Sequence, residues 1–255
     1  MRLRLIPIIA LFVAATIVAV NDAGAAGKEL RFSVKCTPGP VAQVDPLVSP
    51  GGPSAHMHQF FGNRGVTSTR ESPATMRTRG TTCQLSNDTG AYWVPTLYIN
   101  GVIIPPTQVL VYYRNNQAAT NIAPHTADTG IVSTNHEWLC KDSDVYSRPP
   151  NCTGIPSHPD GAGLRIRFLP YTQADGTRTP NVTLNIRYGR QNLTGATFSM
   201  GVAGHGDFWN VWDQGAYAAL VARCLDPNGV WRRYTYSQWE ARCNQVTDAD
   251  FALGA

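Results

Sequence analysis

Two short stretches hold most of the side chains able to do chemistry. One is Gly204-His205-Gly206-Asp207-Phe208-Trp209-Asn210-Val211-Trp212-Asp213-Gln214. The other, far upstream, is Ser54-Ala55-His56-Met57-His58-Gln59-Phe60-Phe61-Gly62-Asn63. His56 and His58 are two apart, and so are His205 and Asp207. On an extended chain, side chains two apart point to the same side. Two such segments laid together would direct three or four imidazole and carboxylate groups at one point. That donor set suits zinc, manganese, iron or copper, whereas a hard cation would want more oxygen ligands. The first reading is therefore a divalent transition metal held by His56, His58, His205 and Asp207. The second needs no metal: His58 or His205 moves a proton, with Asp207 as the partner carboxylate. In the third, His56 and His58 belong to a structural turn and their rings bond to backbone.

Aromatic residues accompany these groups. Trp209 follows Asp207 closely, and Tyr92-Trp93 stands between the two stretches. A sugar packs its C–H face on such a ring while its hydroxyls bond outward. Tyr92 and Trp209 are candidates for that role, whereas Trp93 and Trp212 read as core. Asp45, ahead of Pro46, could serve as a second carboxylate for glycoside hydrolysis, but an Asx turn accounts for it more simply. Asp213 reads as a helix N-cap.

Composition sets the frame for these residues. The chain has 255 residues, 15% of them charged, with 23 Gly and 18 Pro. So few charges and so many turn-formers argue for a loop-rich β protein and against a helical bundle. The formal net charge is +4 and there is no Lys/Arg run, so nucleic-acid binding is not expected. No G-x-S-x-G, P-loop or dinucleotide-binding glycine pattern occurs.

Arg2 and Arg4, the apolar run from Leu5 to Val20, and Ala23-Gly24-Ala25 follow the order of a secretory signal. Residues 1–25 are expected to be removed, leaving 26–255 as a single secreted domain with no membrane span. All six cysteines come after that point, which in an exported chain predicts three disulfides out of fifteen possible pairings. Proximity favours Cys140–Cys152 and Cys224–Cys243, which leaves Cys36–Cys83.

The elements that must position the polar stretches are mostly strands. Leu30–Cys36, Leu164–Pro170 and Val182–Tyr188 alternate apolar and polar residues. Asn100-Gly101 between two apolar runs marks a hairpin. Thr197–Val202 reads as a strand leading into His205. A short helix is expected at Pro73–Arg77. A longer one should follow Asp213, with Tyr217, Leu220, Val221 and Cys224 on one face.

Taken together, Val44-Asp45-Pro46-Leu47-Val48-Ser49-Pro50-Gly51, His56-Met57-His58, Phe61-Gly62-Asn63, Tyr92-Trp93-Val94-Pro95-Thr96-Leu97-Tyr98 and His205 to Asp213 resemble DUF1996. This is a secreted family of fungi and actinobacteria catalogued as a domain of unknown function. Some members carry WSC modules, which are associated with carbohydrate binding. The resemblance runs in order from Val44 to Cys224. It implies roles for Asp45, His56, His58, Asn63, Tyr92, Trp93, His205, Asp207 and Asp213. Members usually have a Cys-Trp-Asp-Gly stretch followed by further histidines. Arg167 to Gly176 stands in that place here, so an activity that needs those histidines is not implied.

The expected fold is mainly β, sandwich- or jelly-roll-like, with a C-terminal helix and disulfide staples. The expected function is that of an extracellular carbohydrate-active protein cleaving glycosidic bonds of cell-wall or environmental polysaccharide. His58 or His205 would transfer the proton, Asp207 would be the carboxylate, and Asn63, Tyr92 and Trp209 would meet the sugar. The competing expectations are a non-catalytic polysaccharide- or wall-binding protein and a His/Asp metalloprotein.

Overall fold

The computed structural model describes residues 29–116, 119–228 and 236–252. The signal segment expected at residues 1–25 lies outside them. In chain order the strands are β1 (Leu30–Cys36), β2 (Pro38–Val44), β3 (Pro53–Gly62), β4 (Ala91–Pro95), β5 (Leu97–Ile99), β6 (Val102–Ile103) and β7 (Gln108–Asn115). They continue as β8 (Gly130–Ser133), β9 (His136–Leu139), β10 (Gly163–Phe168), β11 (Asn181–Arg187), β12 (Thr197–Phe198) and β13 (Gly206–Trp209). The helices are α1 (Pro73–Arg77), α2 (Gln214–Leu220), α3 (Tyr236–Cys243) and α4 (Asp248–Ala252).

Two five-stranded antiparallel sheets make a sandwich. The first has the order β1-β7-β11-β10-β9 and the second β2-β3-β4-β13-β8, with a three-stranded sheet β12-β5-β6 beside them. Period-two alternation decides what lies between. Phe32, Val34, Val111, Tyr113, Leu164 and Ile166 of the first sheet share one buried cluster with Phe61, Tyr92, Val94 and Phe208 of the second. Gly206 makes the close approach possible, because a Cβ there would stand 2.9 Å from the Ile166 side chain. With Gly206 and Phe208 turned inward, Asp207 and Trp209 must face outward.

That outward face of the second sheet is covered too. Phe60, Ala91, Trp93, Trp209 and Val211 form a second buried cluster under Met76 of α1, with Leu47 packed against it. Leu47 sits in the turn after β2, and a Cβ on Gly130 of β8 would lie 2.5 Å from its tip. The turn that begins at Asp45 therefore crosses the sheet from one edge strand to the other.

Local expectations met by the structure have simple causes. Asn100 and Gly101 both have positive φ, 52° and 76°, as a type I′ hairpin turn requires. Asp213 caps α2 by accepting from the Ala216 N–H at 2.9 Å. Tyr217, Leu220, Val221 and Cys224 are all buried. The three disulfides are Cys36–Cys83, Cys140–Cys152 and Cys224–Cys243. One local expectation fails. Only Thr197–Phe198 of the run Thr197–Val202 is strand; a 3-10 turn at Ser199–Gly201 follows, in which Met200 adopts φ 55°. Ser199 causes the break: its N–H donates to the Thr96 carbonyl at 2.8 Å and its hydroxyl accepts from the Met57 N–H at 3.1 Å.

Inside the sandwich His125 is 1% exposed and faces the Tyr217 hydroxyl at 2.8 Å. Burial lowers its pKa from 6.5 to about 3. The folded state thus holds it neutral, so its contribution is fully present above pH 6.5 and is lost as pH falls toward 3. The expected loss is about 1.4 kcal/mol per pH unit inside that window. Urea titrations at pH 7, 5.5 and 4.5 should show a shallower acid loss in His125→Asn than in wild type. Equal slopes would contradict this.

Candidate metal centre

β3 and β13 are both neighbours of β4 in the second sheet. His58 pairs with Pro95 of β4, and Asp207 with Trp93. The two polar stretches therefore meet across one strand, on the outward face. His56, His58 and His205 each place a ring nitrogen within 4.8 Å of the other two. Asp45, His58 and Asp207 form a second such group within the same limit, so His58 is common to both.

The direction of the rings is set by backbone. His58 Nδ1 lies 3.0 Å from the Val44 carbonyl and His205 Nδ1 lies 2.9 Å from the Ala203 carbonyl. A carbonyl can only accept, so each Nδ1 carries a proton, and in the neutral form of either ring the lone pair is on Nε2, facing the site. The carboxylates stand on that same side. Asp45 Oδ2 is 4.0 Å from His58 Nε2, and Asp207 Oδ2 is 4.0 Å from His205 Nε2. A carboxylate that orients a catalytic histidine sits on Nδ1–H and leaves Nε2 to the substrate. Here carbonyls hold Nδ1, and the carboxylates share the Nε2 side, as ligands of a common ion would.

The balance of donors and acceptors supports this. Both Asp207 oxygens, His58 Nε2 and His56 Nδ1 are buried and lack a hydrogen-bond partner among the described residues. Burial, and secondarily the Asp45 charge, pushes the Asp207 carboxyl well above the usual carboxylate range. Burial, then His56, lowers His58 to about 4. Burial, then His205, lowers His56. Around neutral pH the His58 and His56 rings are therefore poor sources of protons for the carboxylates. His56 Nε2 and His205 Nε2 are 3.2 Å apart. Two nitrogens bound tetrahedrally to one zinc at its usual bond lengths lie about 3.3 Å apart.

Asp45 enters this centre although a turn explains its position in sequence. Its Oδ1 accepts from the Leu47 and Val48 N–H groups, both at 3.0 Å, and this leaves Oδ2 for the site. One carboxylate thus does both jobs. The signal in the sequence was the Asp-Pro pair itself, because the turn holds the side chain still.

The three expected substrate residues lie elsewhere, and this corrects the sugar-holding role read from sequence. Tyr92 faces inward and is fully buried. Its hydroxyl donates to Asp88 Oδ1 at 2.9 Å, pairs with the Tyr113 hydroxyl at 2.5 Å and accepts from Trp212 Nε1 at 3.1 Å. Trp209 faces outward but is fully buried too; its Nε1 donates to Asp128 at 2.7 Å, with Arg70 over the ring. Asn63 spends its amide on the Met76 and Thr89 carbonyls and its oxygen on the Gly65 N–H. No ring face or amide atom of these residues is left for a sugar. Tyr92→Phe should cost about 1–3 kcal/mol in denaturant titrations, because the buried Asp88 loses a donor. It should leave metal content unchanged, and a loss of metal would return Tyr92 to the site.

Residues 45–179, over half of the chain, match the family model described as Domain of unknown function (DUF1996). The chain belongs to the DUF1996 family. The match covers Asp45, His56 and His58 of the centre and stops short of His205 and Asp207. No curated protein and no solved structure shows a match. Among the described residues, no helix is long and apolar enough to cross a membrane.

Proposed function

We propose that this DUF1996 member is an extracellular metalloprotein that uses a divalent first-row transition ion, zinc being the first to test, on a cell-wall or environmental polysaccharide. His56, His58 and His205 would supply three nitrogens, and Asp207 and Asp45 the oxygens. The observation that carries the reading is the Asp207 carboxylate. It is buried beside a second carboxylate, and among the described residues no donor reaches either of its oxygens. A buried charge without a partner costs several kcal/mol or is neutralised, and a divalent ion would remove that cost.

The donor set fits the borderline ions named from sequence. His56 and His205 are partly exposed whereas His58, Asp45 and Asp207 are buried. The site therefore has a closed side and an open side, the pattern of centres that accept a ligand from solution. When bound, such an ion polarises an oxygen and acidifies a coordinated water. The protein's own part is to fix the rings through Val44 and Ala203 and to exclude water behind His58. Metal-free proton transfer by His58 or His205 has less support, because backbone carbonyls and not carboxylates stand at both Nδ1 atoms among the described residues.

The test is elemental analysis of protein purified without chelator and then offered zinc, manganese, copper or iron. One ion per chain is expected for wild type and none for His58→Ala. Wild-type protein that takes up none of the four would end the proposal.

A further inference from the structure

A cleft of about 420 Å³ opens beside the centre, and His56 is one of its walls. Its floor is the small sheet. Register places Ile103, Tyr98 and Thr197 in a row across β6, β5 and β12, and Leu97 of the same sheet is buried in the core. Tyr98 is the aromatic residue that the cleft leaves partly open. The opposite rim is the Ser199–Gly201 turn.

Three features of this cleft point to one class of ligand. First, among the described residues no Asp, Glu, Lys or Arg lines it, so nothing there selects anionic or cationic polymers. Second, three of its polar groups keep an unused atom. Gln43 gives its amide N–H to the Ser54 carbonyl, which leaves the amide oxygen available. The Tyr98 and Thr197 hydroxyls have no partner among the described residues. Third, Met200 stands on the rim 82% exposed with φ 55°. A non-glycine residue there costs about 1–2 kcal/mol, and the fold's own packing gains nothing from its side chain. Apolar faces from Tyr98 and Met200 between free hydroxyl and amide groups complement a sugar ring. The volume lies in the usual range for a small-ligand site.

We infer that this cleft is a binding subsite for a neutral oligosaccharide, with Tyr98 as the stacking platform in place of Tyr92 and Trp209, and that it presents the chain to the centre at His56. The second half of this statement rests on the metal reading; the first half does not. Tyr98 here is a binding residue, and Met200 closes the rim over the ligand.

Calorimetric titration of the zinc-supplied full chain tests it, with the neutral hexasaccharides of β-1,4-glucose, β-1,3-glucose and β-1,4-N-acetylglucosamine as probes. Polygalacturonate and an uncharged Ala/Ser heptapeptide are run beside them. At least one neutral hexasaccharide should bind. Tyr98→Ala should weaken it about tenfold, and Thr197→Trp, at an exposed position, should abolish binding by filling the cleft. Both variants should keep the wild-type metal content. The inference is overturned if no neutral hexasaccharide binds, if polygalacturonate or the peptide binds in their place, or if Thr197→Trp binds like wild type. The two readings fail separately: zinc retained without sugar binding removes the subsite alone, and sugar binding without zinc uptake removes the metal centre alone.

Discussion

Chelation is expected to lower the melting temperature of the wild-type protein, and zinc to restore it. An ion that binds only the folded state stabilises by about 4 kcal/mol when its free concentration is a thousandfold above Kd. For a chain of this size that corresponds to roughly 8–16 °C. The effect should be this large because a bound ion would also neutralise two carboxylates that the fold buries side by side. His58→Ala should abolish the difference between chelated and zinc-supplied samples, since His58 is the one residue common to both ligand groups. That variant also leaves the Val44 carbonyl without its donor. Its absolute stability will therefore fall in both conditions, and the difference between them is the informative quantity. Scanning calorimetry with and without chelator measures it. A midpoint unmoved by zinc, manganese, copper and iron would leave the centre without a metal.

The second large effect has the opposite sign for stability. Asp207→Asn should stabilise the metal-free protein by about 1–3 kcal/mol at pH 8, because it keeps the shape of the side chain and removes the cost of either burying a charge there or holding a proton that the unfolded chain gives up. The pH dependence follows from the raised pKa of Asp207. The folded state binds that proton more tightly than the unfolded chain does. Stability contributed by the protonated carboxyl is thus present below pH 3.8 and declines as pH rises toward the folded value. Asp207→Asn should lack this decline. With zinc present the order reverses, because wild type gains the ion and the variant does not. Denaturant titrations of both proteins at pH 5 and pH 8, with and without zinc, give all four comparisons. An Asp207→Asn protein less stable than wild type at pH 8 without metal would mean that the carboxylate already has a partner.

Much of the fold was legible because it is local. Alternation placed the strands β1, β10 and β11, Asn100-Gly101 placed the hairpin, and Asp213 placed the start of α2. Loop length favoured two of the disulfides, and the third followed by remainder. The run Thr197–Val202 was misread because its apolar residues suit a strand. What ends that strand is a pair of hydrogen bonds from Ser199 to Thr96 and Met57, more than a hundred residues away in sequence.

The chemistry divides along the same line. Spacing alone determined that His56 and His58 share a side, and that His205 and Asp207 do, because a strand repeats every two residues. It could not say which side. Tyr92 and Trp93 are adjacent and equally aromatic, yet register sends one into the sandwich and the other onto the face with the histidines. Only the tertiary structure decided that His56 meets His205 across 149 residues, and that the Asp45 turn lies over the same face. It also decided that two backbone carbonyls aim the Nε2 lone pairs at the carboxylates. These are consequences of sheet order and of one turn crossing a sheet. Neither is written in any window of sequence short enough to show a period.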